Sequence, residues 1–352
     1  MDGMVLENGT MYVGLMGNQG SAAGFQTFDT QNRQWGYGSL IAGLPSNIVR
    51  DFVNYGDHVL IATHGGIGMF NTTRNDWDNP ITTINGLPSP IIEHLHVLNT
   101  TIQGGGKVLA GGSAGITVLE ENNLTILNTL DFNDGLMGNT VSGITESGPV
   151  SRVVQNPDGT NTTIYHDASI FISHNGQGPT RPGVAAWDLK TDEVNGTYNI
   201  DMIPSNDVRA IVGDDWGVHI ATDVAPLVHW NGSTLQMETG SGIEALQSWP
   251  PYEMQSNGQH LVVMSPRGLD VVDVYGRHNV IASEVITGLQ GGDIDLNGFY
   301  AVGNDGLHVF KPVVSLQEKS REVQRRAEPL TVLYNGMNWD ITDTTHPGMS
   351  TV

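Results

Sequence analysis

The 352-residue chain predicts an all-β fold, a β-propeller, most simply one of seven four-stranded blades, and three observations lead there. The first is self-similarity: FDTQNRQW at 28–35 returns as FNTTRNDW at 70–77, displaced by 42 residues. The second is the character of each copy, short apolar or β-branched runs broken by Gly, Asn, Asp and Thr turns. The third is the lack of apolar spacing at 3.6 residues, which sets aside helical solenoids. Repeats of roughly 40–50 residues that hold four strands each are the mark of propeller blades. Leucine-rich repeats and β-helices have shorter periods.

One unit is legible throughout at 43–77, GLPSNIVRDFVNYGDHVLIATHGGIGMFNTTRNDW. It reads as an entry turn (GLPSN), a first strand (IVRDFV), a turn (NYGDH), a second strand (VLIAT), a glycine turn (HGG), a third strand (IGMF) and a polar turn leading to Trp77. Entry turns return as GLPSPII (86–92), GLMGNTV (135–141) and IPSNDV (203–208). Third strands open at Phe25, Ile67, Ile116, Val184, Leu227, Leu269 and Leu307, which advance by 42, 49, 68, 43, 42 and 38 residues. Asn8-Gly9 predicts a tight hairpin after a first strand at Met4–Glu7. The long fourth unit carries extra residues at about 147–168 and 175–182, rich in Gly, Pro, Asn and Thr, which read as extended hairpin loops.

The propeller is therefore expected to occupy residues 1–312. Ser315-Leu-Gln-Glu318 is a capping-box sequence, and a linker helix is expected over 313–328, stopped by Pro329. Residues 329–352 are left open between the start of a further domain and the closing of the ring, with a hairpin near Tyr334–Gly336.

Composition narrows the function. A formal charge of −22, from 37 acidic and 15 basic residues, argues against nucleic acid or an anionic membrane as partner. Cysteine is absent, which excludes disulfide scaffolds, thiolate nucleophiles and Cys-ligated zinc. No apolar run is long enough to span a bilayer. The amino-terminal MDGMVLENGTMYVG has neither a basic nor an apolar signal region. Seven Asn-X-Ser/Thr sequons, at Asn8, Asn71, Asn99, Asn123, Asn161, Asn195 and Asn231, point instead to an extracellular or cell-surface setting.

At GLPSN, VLIAT, GGI and the trailing Trp77, the unit resembles the two-component regulator propeller repeat, with its entry "GLPSN-V", central "LWIGT", "GGL-RYD" and final tryptophan. The likeness is good at 43–77, moderate at 86–120 and 202–230, and looser over the rest of about 300 residues. The resemblance implies a non-enzymatic sensory or adhesive module that binds a small molecule, a glycan or a protein. Neither a kinase motif nor a membrane span accompanies the repeats here.

In a propeller the first strands line the channel, so the residue after each entry valine or isoleucine is a candidate ligand contact: Arg50, Glu93, Ser142 and Arg209. Two arginines and a glutamate suit an anionic or sugar ligand through forked hydrogen bonds, or they pair with their neighbours. His64, Ser113, Asp223 and Asn304 occupy equivalent turns on one rim. Asp293, Asp295 and Asn297 match the first half of a calcium loop, although Asn304 stands where a bidentate Glu is required, and the hairpin reading of Asn297-Gly298 is favoured. His94 and His96 would project from one face of a strand, without an identifiable third ligand. Hydrolase and phosphate-loop motifs are absent, so no catalytic residue and no cofactor is assigned. Asp51, Glu93, Asp207 and Asp293 are the carboxylates from which a glycan hydrolase or lyase would be assembled. A scaffold without any ligand is the third reading. Trp35, Trp77, Trp187 and Trp230 are expected in the core between blades rather than as sugar platforms.

Overall fold

The computed structural model describes residues 4–7, 9–14, 24–32, 34–36, 43–98, 106–148, 150–155, 161–166, 168–174, 183–189, 191–198, 203–205, 207–214, 216–224, 227–232, 235–237, 246, 250–258, 260–274, 280–284, 289, 291–294, 299–303, 306–313 and 338–345. These residues form seven four-stranded antiparallel sheets and one two-stranded ribbon. Helical structure among them is limited to two 3-10 turns, Thr83–Asn85 and Phe132–Asp134.

The first sheet comprises β1 (Met4–Glu7), β2 (Thr10–Gly14), β3 (Phe25–Asp29) and β4 (Gln34–Trp35). The second is β5 (Val49–Tyr55), β6 (His58–Thr63), β7 (Gly66–Asn71) and β8 (Asp76–Ile81). The third is β9 (Ile92–Val97), β10 (Val108–Gly112), β11 (Gly115–Leu119) and β12 (Ile126–Leu130). In the fourth, β13 (Val141–Ser147) is followed by the ribbon β14 (Val150–Gln155) and β15 (Asn161–His166), then by β16 (Ser169–His174), β17 (Val184–Asp188) and β18 (Glu193–Tyr198). The insertion at 147–168 thus folds as a hairpin outside the four-stranded sheet. The fifth contains β19 (Val208–Asp214), β20 (Gly217–Thr222), β21 (Val228–Trp230) and β22 (Leu235–Met237). The sixth contains β23 (Glu253–Ser256), β24 (His260–Ser265), β25 (Gly268–Asp273) and β26 (Val280–Glu284). The seventh contains β27 (Gly291–Ile294), β28 (Phe299–Gly303), β29 (Gly306–Val313) and β30 (Asn338–Thr345).

Every third strand begins within one residue of the position read from the repeat. The open segment of the tail supplies β30, which pairs with β29 from Leu307↔Thr345 to Val313↔Asn338. The expected helix within 313–328 and the hairpin near 334–336 lie outside the described residues.

A small sheet that is apolar on both faces has to be covered by neighbours. Apolar clusters sit between consecutive sheets, beginning with Tyr12 and Phe25 against Phe52, Val59 and Phe70. Equivalent clusters join sheets two and three, three and four, four and five, five and six, and six and seven. One more joins Met11, Val13 and Phe28 of the first sheet to Tyr300 and Leu307 of the seventh. The first strands neighbour one another in the same order, and β1 also neighbours β27.

Polar bonds reinforce these contacts. Asp51 Oδ2 accepts from Leu95 N–H at 2.9 Å, and Thr145 Oγ1 accepts from Gly213 N–H at 2.6 Å. Between sheets five and six, Asp214 Oδ2 accepts from Ser256 Oγ at 2.9 Å and lies 3.2 Å from Nε2 of the buried His219. Burial acts to raise the Asp214 carboxyl, but His219 and the Trp216 N–H and Ser256 donors hold it below its ordinary value.

Packing joins GLP to the trailing tryptophan of the unit at 43–77. Gly43 has φ +90°, a left-handed conformation, and a Cβ there would lie 2.3 Å from Trp77 Cγ. Trp77 in turn packs edge-on to Phe70 and Phe25 at centroid distances of 5.2 and 5.9 Å. Trp77 is half-buried against the first interface cluster, and Trp187 and Trp230 are buried, so these rings serve the core between sheets. Gly43→Ala is expected to cost about 2–4 kcal/mol, from backbone strain plus overpacking against the indole. Gly56→Ala, at φ +61° in open space, should cost only the backbone share, about 1 kcal/mol. Urea denaturation of both variants checks this, and equal losses would contradict it.

Candidate ligand-binding site

All four residues singled out for the channel occupy one structural place, a β-bulge at the start of a first strand. In sheet two, Val49 pairs with Thr63 and Asp51 with Ala62, leaving Arg50 as the extra residue. Glu93 stands between Ile92↔Gly112 and His94↔Gly111 in the same way. Ser142 stands between Val141↔His174 and Gly143↔Ser173, and Arg209 between Val208↔Thr222 and Ala210↔Ala221. A bulge sets two residues against one and re-aims the extra side chain. Here the preceding Val49, Ile92, Val141 and Val208 are buried in the core, while the bulged residue turns toward a shared cavity.

That cavity has a volume of about 1190 Å³ and is lined by β5, β9, β13, β19 and β23, with Asp293 from β27. Arg50, Glu93, Ser142 and Arg209 all line it, as do Tyr252 and Glu253. Tyr252 N–H donates to Met264 O at 2.9 Å, which places Tyr252 at the head of β23 where the other sheets carry their bulged residue.

The rim turns bind these strand heads. The backbone N–H groups of His64, Ser113 and Asp223 donate to the carbonyls of Ile48, Ile91 and Asp207, each just before its first strand. Their side chains then diverge. Arg50 Nε donates to His64 Nε2 at 2.8 Å and lies 3.1 Å from Glu93 Oε2, while Glu93 Oε1 is 3.2 Å from His64 Nε2. This triad ties sheet two to sheet three at the cavity mouth, with each side chain between 24 and 31% exposed. Ser113 Oγ pairs with Ser89 Oγ at 2.7 Å, and Ser142 Oγ with Ser173 Oγ at 3.1 Å. Arg209 Nη2 donates to Asp207 Oδ2 at 2.7 Å.

Arg50, Glu93 and Arg209 are thus brought to one cavity from different sheets, and His64, which does not line it, holds the first two from the rim turn. Of the carboxylates considered for hydrolysis, Glu93 is engaged by Arg50, Asp207 by Arg209, and Asp51 by the Phe52 and Leu95 amides. His94 Nδ1 lies 3.9 Å from Asp51 and His96 Nε2 lies 3.7 Å from Glu146, so each histidine faces a carboxylate on a neighbouring sheet. Among the described residues no group of three or more His, Asp or Glu is arranged to hold a metal ion. Asp293 lines the cavity, whereas Asp295, Asn297 and Asn304 lie outside the described residues. No helix among the described residues is long and apolar enough to cross a membrane.

Sequence reasoning missed Tyr252, because Pro250-Pro251 replaces the usual entry pattern. It also missed the bulges. Their trace is the paired polar step in V-R-D-F and I-E-H-L, where two half-buried residues separate buried ones and the alternation of a regular strand breaks.

No sequence-family model matches the chain, and no curated protein matches it. Solved structures do. A computationally designed protein, Ika8, is similar with a TM-score of 0.53 and 12% identity, over 88% of this chain and 82% of that one. PorZ, an essential bacterial surface component of the type-IX secretion system of Porphyromonas gingivalis, is similar with a TM-score of 0.57 and 15% identity. The match covers 88% of this chain but 46% of PorZ, so the chain spans less than half that protein's length. The extracellular domain of the putative hybrid two-component system BT3049 from B. thetaiotaomicron aligns with a TM-score of only 0.33 at 14% identity, over 86% of this chain and 54% of that one, too low to bear on the fold. At such identities the first two matches establish a shared all-β fold and nothing of activity.

His174, at the end of β16, is fully buried, and burial pushes its imidazole from 6.5 down to about 4, only partly opposed by the Thr140 carbonyl. Between those values the unfolded chain binds a proton that the folded chain does not, so stability falls as the pH drops from 6.5 toward 4. The loss is on the order of 3 kcal/mol. His260, pushed down by burial against the pull of Asp273, adds to the same slope. Urea midpoints at pH 7.5, 6 and 4.5 should fall less steeply for His174→Gln than for the native chain. Identical slopes would contradict the assignment.

Proposed function

We propose that the seven sheets close into a seven-bladed propeller that works as a non-enzymatic ligand- or protein-binding module, with the cavity as its site. Closure is supported by the cluster that joins the first and seventh sheets and by the proximity of β1 to β27. On this reading the propeller takes residues 1–312 together with β30 (Asn338–Thr345), which completes its last blade beyond a 313–328 linker. The observation that carries the binding function is the convergence of Arg50, Glu93, Ser142 and Arg209, all on bulged strand heads, at one cavity mouth. Bulges cost ladder hydrogen bonds and recur where a side chain must be aimed.

A sensory or interaction role in a secreted or cell-surface protein rests on the resemblance of the repeat to two-component regulator propellers and on the sequons. The small-molecule, glycan or protein identity of the ligand follows from the cavity's size and mixed lining. Thermal-shift screening of the full chain against sugars, oligosaccharides, amino acids and peptides should yield a ligand. Arg50→Ala and Arg209→Ala should each weaken its binding about tenfold or more. Native-like affinity in both variants would overturn the site, and turnover of a glycan lost in Glu93→Gln would overturn the non-enzymatic reading.

A further inference from the structure

The sequons do not stand alike in the fold, and three of them, at Asn71, Asn123 and Asn231, have described side chains. Attachment of a glycan needs an asparagine carboxamide that reaches solvent with its Nδ2 unengaged, because the sugar is bulky and hydrated. Asn71, the last residue of β7, fails on both counts. It is 1% exposed, its Nδ2 donates to Asp57 Oδ2 at 2.7 Å, and its Oδ1 accepts from the Arg74 N–H at 2.8 Å. Asn231 is half-buried. Asn123 meets both conditions. It stands exposed in the turn that joins β11 to β12, and among the described residues its Nδ2 has no hydrogen-bond partner. Its Oδ1 accepts from the Thr125 N–H at 2.9 Å, and the Thr125 hydroxyl lies 2.9 Å from both that oxygen and Glu120 Oε2. The residue that completes the sequon thus holds the carboxamide by its oxygen and leaves the nitrogen for a donor.

The turn around Asn123 is pinned. Leu124 has φ +54°, a costly conformation for a bulky residue, and its side chain is buried in the cluster between sheets two and three. Glu120 closes the turn on itself: its N–H donates to Thr125 O at 2.8 Å, and its carbonyl accepts from the Leu124 N–H at 3.0 Å. The Asn122 N–H donates to Tyr55 Oη at 2.7 Å, which ties the turn to sheet two as well. Its place also keeps it clear of the bulged strand heads. Glu93 stands beside Gly112 and so by the start of β11, whereas Asn123 follows Leu119 at the other end of that strand. A glycan on Asn123 therefore leaves sheet three at the end opposite Glu93.

We propose that Asn123 is an N-glycan acceptor of the chain; the inference rests on the reading of the protein as secreted or cell-surface. In the transfer, Asn123 Nδ2 forms a bond to the anomeric carbon of a lipid-phosphate-linked oligosaccharide as the bond from that carbon to the phosphate oxygen breaks. The lipid phosphate leaves with the electron pair, and Nδ2 gives one proton to a base of the transferase. Two measurements test this. Glycopeptide mass spectrometry of the protein taken from the cells that make it should find sugar on Asn123 and none on Asn71, and fractionation of those cells and their medium gives its location. In vitro, the folded full chain is incubated with an oligosaccharyltransferase that accepts the plain sequon and with its lipid-linked oligosaccharide. It should take sugar at Asn123 and not at Asn71, although synthetic peptides spanning 67–77 and 119–129 should both be modified. Thr125→Ser should keep the transfer, and Asn123→Gln should abolish it. Transfer to Asn71 in the folded chain within twofold of that to Asn123, or none at Asn123 where its peptide reacts, would overturn the proposal. Protein found outside the cell with no sugar on Asn123 overturns this inference and leaves the secreted or cell-surface reading standing. Protein found only inside the cell and bare of sugar overturns both.

Discussion

A four-stranded sheet whose second strand is buried along almost its whole length cannot stand in water, and the architecture of this chain follows from that constraint. β6, β10, β16, β20 and β24 are buried along almost their whole length, so each sheet needs cover on both faces. Consecutive sheets supply it, and the cluster from Met11 to Leu307 supplies it to the first and last. Such burial is worth roughly 25 cal/mol per Å² of apolar surface, far more than the surface ion pairs contribute. The polar bonds between sheets, Asp51 to Leu95 N–H, Thr145 to Gly213 N–H and Asp214 to Ser256, fix how the faces meet rather than drive the meeting.

The same packing leaves the first strands partly uncovered, because their far edges have no hydrogen-bonding neighbour within their own sheets. The bulged residues lie there. The bulge at each strand head separates two demands on adjacent residues: Val49, Ile92, Val141 and Val208 stay in the core, and Arg50, Glu93, Ser142 and Arg209 are released from it. A packed residue and a released one thus occupy successive positions of one strand. The released residue can then vary from sheet to sheet, from arginine to glutamate to serine, without disturbing the packing.

Much of this was legible in the sequence, because a repeat forces similar residues into similar places. Strand order, the third-strand starts and the equivalence of His64, Ser113 and Asp223 are all carried by short patterns with a shared spacing. What the pattern does not encode is partnership across units. The Arg50–His64–Glu93 triad joins residues 14 and 29 apart along the chain, and no local spacing announces it. β30 was illegible for another reason: NWDITDTT is mostly polar and lacks the apolar alternation of a half-buried strand. The pairing of GLP with Trp77 was visible as a coincidence of motifs, but its cause, an indole filling the space where a Cβ would stand, belongs to the packing alone.

The absence of cysteine allows the central claim to be tested one position at a time. Single cysteines placed at 49, 50, 92, 93, 141, 142, 208 and 209 would be titrated in the folded chain with a small maleimide, and their reaction rates compared. The account predicts that 50, 93, 142 and 209 react quickly and that 49, 92, 141 and 208, one residue earlier, react slowly, pair by pair in all four sheets. Equal rates within the pairs, or fast reaction at the buried member, would contradict the claim that bulged strand heads aim one residue per sheet into a common cavity.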